Sequence, residues 1–203
     1  NSMVHQVYQD RDGYIWIPTF YGLFRYDGYE VRTYKSNLYT PGLLVNNNVL
    51  CVEEDYSHRL WIGTHEGLCM LDKRTGKMKK LQLDGVSKQR LNEIHVTKEN
   101  RVYLGYIRGM AYYDEMQDTL ALMTRKNCRG DVPESVNIQT LFEDVNGDLL
   151  IGTWKDGLYR YCIKENTFLH YPPLDEENSV LALFQDSRGV MWICLLYTSP
   201  THE

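Results

Sequence analysis

No stretch of the chain is apolar for long enough to cross a membrane as a helix. The longest such run, Val190 to Tyr197, falls far short of the roughly 20 residues required. Long cationic runs are missing too. The densest cluster is Lys77 to Lys80, and 22 Lys and Arg are outnumbered by 27 Asp and Glu, for a formal net charge of −5. A nucleic-acid partner demands a basic stripe, so direct contact with nucleic acid is not expected. Cysteine is sparse. Cys51, Cys69, Cys128, Cys162 and Cys194 form no C-x-x-C pair and have no His at metal spacing, so they read as buried free thiols. No leader is visible, because Asn1 opens directly on polar sequence, and that fixes no compartment. Nucleophile elbow, Walker loop, HExxH and dinucleotide fingerprint are all absent. His5, His58, His65, His95 and His170 are scattered over the chain. No catalytic residue, metal site or cofactor is expected in this segment.

What is present is repetition. Leu60 to Leu68 reads LWIGTHEGL, and Ile15 to Leu23 reads IWIPTFYGL. Leu150 to Leu158 reads LIGTWKDGL, Val102 to Met110 is a weaker version, and a fifth begins at Met191 with MWI. The anchor positions are Trp16, Trp61, Tyr103, Leu150 and Trp192, separated by 45, 42, 47 and 42 residues. Six residues before each anchor stand Asp10, Asp55, Thr97, Asp144 and Asp186. An apolar run precedes an Asp-x-x-Gly turn, in which Asp bonds its own backbone and Gly accepts a positive φ. The aromatic-aliphatic strand follows, then a Gly-Thr-x-x-Gly turn, a third strand, another turn and a fourth strand. Four short antiparallel strands in about 45 residues are the signature of a propeller blade. Helical periodicity is missing, and a β-sandwich does not require the same side chains to return at each period.

The expected fold is therefore all-β: a β-propeller fragment with four complete four-stranded blades and part of a fifth. Its repeats span residues 4–193, at about 4–45, 46–90, 91–134, 135–177 and 178–193. Residues 194–203 form a tail that leaves the pattern. Recurrent side chains mark scaffold. Trp16, Trp61 and Trp192 are expected to pack between blades, and the recurrent Asp to hold turns. Carboxylates distributed one per blade do not form an acid/base pair.

Asn48 to Asp72 and Asn137 to Tyr161 follow the order Asn with Val or Ile, D-x-x-G (with His58 for Gly in the first), Trp or Leu, I-G-T and G-L. These residues resemble the two-component regulator propeller repeat. The first unit, with Tyr26-Asp-Gly-Tyr29, looks like the opening repeat of the periplasmic sensor region in hybrid two-component systems of gut Bacteroidetes. The third unit departs, with Thr97 for Asp, Tyr103 for Trp and Gly105-Tyr106 for Gly-Thr, and Pro18 replaces Gly in the first. The resemblance implies seven-bladed rings, a downstream membrane span, a cytoplasmic histidine kinase and a homodimer. It also implies an oligosaccharide ligand in the periplasm, with membrane contact only through segments downstream.

Function is expected where the repeats differ. The loop between second and third strands reaches the same face as the connector between blades. It carries Phe20 and Tyr21, His65 and Glu66, Ile107 and Arg108, and Trp154, Lys155 and Asp156. Phe20, Tyr21, His65, Glu66, Arg108, Trp154 and Lys155 are the candidate ligand-binding residues. Aromatics offer stacking faces for sugar C–H surfaces, and charged groups offer hydrogen bonds to hydroxyls. Tyr21, His65, Arg108 and Trp154 are expected at equivalent loop positions on one rim. The connectors Lys35 to Asn47 and Thr124 to Glu134 are long enough to roof that surface. Two alternatives are a propeller lyase of the kind that opens cyclic antibiotics, which needs clustered His and Glu metal ligands, and a protein-interaction scaffold.

Overall fold

The computed structural model describes residues 3–37, 39, 43–83, 88–173 and 179–196. Strands account for all the regular structure, with no helix among the described residues. The first sheet is β1 (Tyr8–Gln9), β2 (Ile15–Thr19), β3 (Gly22–Tyr26) and β4 (Val31–Tyr34), paired in chain order. The second is β5 (Val49–Glu54), β6 (Arg59–Thr64), β7 (Gly67–Asp72) and β8 (Met78–Leu81). β9 (Leu91–Val96), β10 (Val102–Tyr106), β11 (Gly109–Asp114) and β12 (Thr119–Leu122) make the third. The fourth is β14 (Ile138–Glu143), β15 (Leu149–Thr153), β16 (Leu158–Cys162) and β17 (Thr167–Tyr171), and β18 (Ser179–Gln185) pairs with β19 (Met191–Leu196). Residues 197–203, most of the proposed tail, lie outside the described residues. The chain divides into two compact units, residues 1–104 with 112–121 and residues 105–111 with 122–203.

One departure from four strands per blade occurs. β13 (Arg129–Gly130) adds itself in parallel to the outer edge of β17, with Arg129 opposite Thr167. Arg129 N–H donates to Asn166 O at 2.9 Å, and the Asn166 amide donates to Asn127 O at 2.7 Å. The connector 124–134 thus runs along the sheet instead of forming only a roof. It covers an edge that would otherwise present unpaired backbone groups.

The recurrent Asp and Trp form one device. Asp10 Oδ1 accepts the backbone N–H groups of Asp12 and Tyr14 at 3.1 and 2.9 Å, while Oδ2 accepts the Trp16 indole N–H at 2.8 Å. Asp55 repeats this with Ser57, Arg59 and the Trp61 indole at 2.9 Å. Asp144 keeps the two turn bonds but meets Leu150 in place of an indole, and its Oδ2 accepts the Asn146 amide at 3.5 Å and lies 3.8 Å from Arg160. In the third sheet Thr97 Oγ1 accepts, among the described residues, a single N–H, that of Arg101 at 3.1 Å. A buried indole needs an acceptor, and the carboxylate supplies a charge-assisted one.

In the first unit, Trp16 joins Leu23 and Tyr34 of its own sheet to Leu60, Ile62 and Leu71 of the next. Trp61 meets Tyr113 of the third sheet at 4.8 Å between ring centroids. Trp16 is 1% exposed and Trp61 0%, whereas Trp192 is 56% exposed. The expectation that all three pack between blades therefore fails for Trp192. Among the described residues no sheet follows β18–β19 to cover it, and its bond to Asp186 stretches to 3.4 Å.

Glycine in the Gly-Thr step permits the close approach of neighbouring sheets. A Cβ on Gly63 would meet Cys51 Sγ at 2.4 Å and Leu91 at 3.0 Å. One on Gly152 would meet Thr140 and Val180 at 2.6 Å each. Leu91 and Val180 belong to the first strands of the following sheets, so the missing side chain sets the spacing between blades.

Two outcomes follow. Trp61→Ala is expected to cost about 3–5 kcal/mol in denaturant unfolding, as large core truncations do, while Trp192→Ala stays within about ±0.5 kcal/mol. Equal losses at the two positions would contradict this packing. Gly63→Ala is expected to cost about 1–3 kcal/mol through overpacking. Cys51→Ala in the same background should recover part of that loss, and a double variant no more stable than Gly63→Ala alone would refute the steric account.

Candidate functional site

The loops between second and third strands are built by the threonine that precedes them. Thr19, Thr64 and Thr153 hydroxyls donate to Gly22, Gly67 and Gly157 carbonyls at 2.9, 2.8 and 2.7 Å. The same oxygens of Thr19 and Thr64 accept the N–H of Tyr21 and Glu66 at 3.1 and 3.2 Å. The first loop residue is tied to the residue just before the first strand of its sheet: His65 N–H donates to Asn48 O, and Trp154 N–H to Asn137 O, each at 2.9 Å. Lys155, at φ 64°, donates its N–H to Ser179 Oγ at 3.2 Å. These bonds hold the loop backbone and leave the side chains to project.

The bonding resolves two registers. Phe20, His65, Ile107 and Trp154 stand four residues after their anchors, and Tyr21, Glu66, Arg108 and Lys155 stand five after. The set Tyr21, His65, Arg108 and Trp154 therefore mixes two positions and is not one equivalent ring. Short loops of near-identical length concealed the offset. The fourth loop holds one more residue before its glycine than the first two.

In the first unit Tyr21 is 59% exposed and Phe20 stands in tilted contact with His5, at 4.7 Å between centroids. His65 is exposed, and Glu66 is paired with Lys88 at 2.7 Å, which holds its carboxyl below the usual range. In the second unit Arg108, Lys155 and Trp154 are exposed, Trp154 at 40%. Asp156 is anchored beneath them. Tyr159 donates its hydroxyl to Asp156 Oδ2 at 2.6 Å, His170 Nε2 sits 2.8 Å from Asp156 O, and the two rings stack at 4.2 Å. Of the connector 35–47, residues 38 and 40–42 lie outside the described residues. Its later part folds over β7, where Val45 N–H donates to Cys69 Sγ at 3.1 Å. His5, Lys88 and the Tyr159–His170 pair were not legible as site neighbours, because only long-range pairing brings them to the loops.

The first strands of the sheets in the first unit hold a second feature missed in the sequence. Side chains from one blade bond the free backbone edge of the next. Gln6 Oε1 accepts from Val52 N–H at 2.8 Å, Tyr8 Oη from Glu54 N–H at 3.0 Å, and Glu53 Oε2 from Val96 N–H at 3.1 Å. Burial pushes the Glu53 carboxyl up to about 8, with the Glu93 charge adding to the rise and Val96 N–H and Arg11 opposing it. Burial likewise pushes Glu93 up to about 7, against the Ile94 N–H. The Cys51 thiol beside them is raised by burial and then by both carboxylates. The signal lay in Glu53 and Glu54 ending an otherwise apolar run.

Both folded values lie above the ordinary carboxyl value of 4.5. The native state therefore holds more protons than the unfolded chain across that interval, and stability falls as pH rises through it. The contribution is full below about 4.5 and lost by about 8. Calorimetric Tm against pH is expected to decline from pH 5 to 8. Glu53→Gln should flatten the decline and melt higher than the parent at pH 8. Parallel profiles would contradict this assignment.

Residues 43–66 match the two-component regulator propeller family. They cover the end of the first connector, β5, β6 and the His65–Glu66 loop. No curated protein sequence matches the chain. Among solved structures, the fold is similar to the extracellular domain of a hybrid two-component system from B. thetaiotaomicron. The TM-score is 0.79 at 21% identity, over 99% of this chain and 29% of that one. A second such extracellular domain from the same organism gives 0.60 at 19% identity, over 99% and 32%. Virginiamycin B lyase from Staphylococcus aureus gives 0.73 at 8% identity, over 94% and 62%. The chain thus spans about a third of those two extracellular domains and is a propeller segment whose residues 43–66 match the two-component regulator repeat.

Proposed function

We propose that this segment is part of the extracytoplasmic, periplasmic sensor region of a two-component histidine kinase. In this reading it binds a glycan-derived oligosaccharide at the loops between second and third strands. The repeat match over residues 43–66 carries the reading, because it ties these blades to two-component regulators and ends on a candidate loop. The extracellular placement of the similarly folded domains supports the compartment. In the first unit Phe20 and Tyr21 present aromatic faces and His65 a polar group; in the second Trp154 presents an aromatic face and Arg108 and Lys155 polar groups. Glu66 is held by Lys88, so it serves as an oriented acceptor. Ligand capture in a homodimer would bias the arrangement passed to the kinase. The lyase reading draws only on fold. Among the described residues no three His, Cys, Asp or Glu side chains gather into a metal-holding group.

Calorimetric titration of a panel of neutral oligosaccharides tests the reading. Saturable binding is expected, and Trp154→Ala and Arg108→Ala should each weaken it about tenfold or more, the effect of losing about 1–3 kcal/mol. The melting temperature should stay put, since exposed substitutions usually lie within about ±0.5 kcal/mol. Unchanged affinity in both variants would move the site away from these loops. Turnover of any oligosaccharide would replace the sensor reading with an enzymatic one.

A further inference from the structure

A polar cleft of about 240 Å³ opens in the first unit, between β2–β4 and the turn that follows β7. It lies toward the far end of β3 from the loop that holds Phe20 and Tyr21, so it is separate from the site proposed above. Its walls include Asp12, Tyr14, Arg25, Arg32, Tyr34 and Lys73. At the ~30 Å³ a water occupies in the liquid, that volume suits one small molecule and not a chain.

The cations in this cleft are not equivalent. Lys73 Nζ is fully engaged, at 2.7 Å from Asp10, 2.6 Å from Asp12 and 2.9 Å from Glu54. Arg25 and Arg32 stand directly opposite each other across β3 and β4. Neither makes an ion pair with any described carboxylate. Arg25 lies over Tyr14 at 4.3 Å and Arg32 over Tyr34 at 5.3 Å, so ring faces hold both guanidiniums in place. Arg25 Nε is buried and has no protein acceptor. Like charges directly opposite on a sheet are destabilising, and a buried donor without an acceptor costs free energy. The like-charge penalty is relieved if one oxyanion bridges the pair through the outer guanidinium nitrogens. Planar guanidinium forks match a carboxylate with two parallel N–H donors. Asp12, the acid among the lining residues, is paired instead with Lys73 at 2.6 Å.

We infer that Arg25 and Arg32 form a binding site for the carboxylate of a small molecule, seated between the first and second blades. That chemistry belongs equally to a sugar acid and to a simple organic acid, and the cleft size admits either.

Titration calorimetry on the 203-residue chain at constant ionic strength separates the cases, with glucuronate, acetate, glucose and chloride as probes. Glucuronate is expected to bind saturably and glucose and chloride not. Acetate matching glucuronate would assign recognition to the carboxylate alone, and tighter glucuronate binding would assign it to the carboxylate with its ring; either result supports the site. Arg32→Gln should weaken glucuronate binding about tenfold or more, the effect of a lost charged hydrogen bond. The ligand-free melting temperature should stay level or rise, because a like-charge pair is removed. Arg25→Lys, which keeps the charge but loses the fork, should weaken binding as well. No saturable glucuronate binding, equal binding of glucose, or full affinity in Arg32→Gln would each overturn the inference. None of these results bears on oligosaccharide binding at Trp154 and Arg108.

Discussion

The bond from a buried indole N–H to the carboxylate of a turn aspartate is the constraint on which this scaffold depends. In the Asp55–Trp61 pair, one oxygen closes the turn between β5 and β6 and the other fixes the ring that faces the third sheet. Turn geometry and blade spacing are thereby set by one residue. Where the indole is absent the carboxylate oxygen finds other partners, as Asp144 does with the Asn146 amide and Arg160. Where the carboxylate is absent, at Thr97, the turn keeps, among the described residues, a single side-chain bond, to Arg101. Sheet packing then requires the small residue at Gly63 and Gly152, because the first strand of the following blade already occupies that space.

This arrangement separates scaffold from surface. Asp10, Asp55 and Asp144, Trp16 and Trp61, and Thr19, Thr64 and Thr153 are engaged in bonds that recur from blade to blade. The loops that the threonines cap are held at their backbones, through His65 to Asn48 and Trp154 to Asn137, while their side chains vary without cost to the core. Charge also divides in this way. Lys73 with Asp10, Asp12 and Glu54 joins the first two blades, whereas Arg25 and Arg32 face each other unneutralised.

Local rules made the fold legible. Asp-x-x-Gly turns, Gly-Thr-x-x-Gly turns and alternating strands act within a few residues, and the recurrent anchors exposed the blade as a unit. The burial of Trp16 and Trp61 followed from that recurrence, and so did the turn role of Asp10 and Asp55. Trp192 did not follow, because burial needs a neighbouring sheet and not only a motif. The strand β13 was hidden since Arg129–Gly130 has no apolar alternation and is held by the edge of β17. The candidate loops were found as loops, but their register was misjudged by one residue, as the bonds of His65 to Asn48 and Trp154 to Asn137 reveal. The first-strand carboxylates escaped notice because their environment is created by adjacent blades, which no single repeat contains.

The four tryptophans allow one direct measurement of this account: hydrogen exchange of the indole N–H protons by NMR. Trp16 and Trp61 are expected to exchange only on opening of the packed blades, since each is buried and bonded to aspartate. Trp154 and Trp192, both exposed, are expected to exchange far faster, and Asp55→Asn should accelerate Trp61 while leaving Trp154 unchanged. Equally fast exchange at all four, or protection of Trp61 that survives Asp55→Asn undiminished, would contradict the claim that the aspartate–indole bond organises the blades.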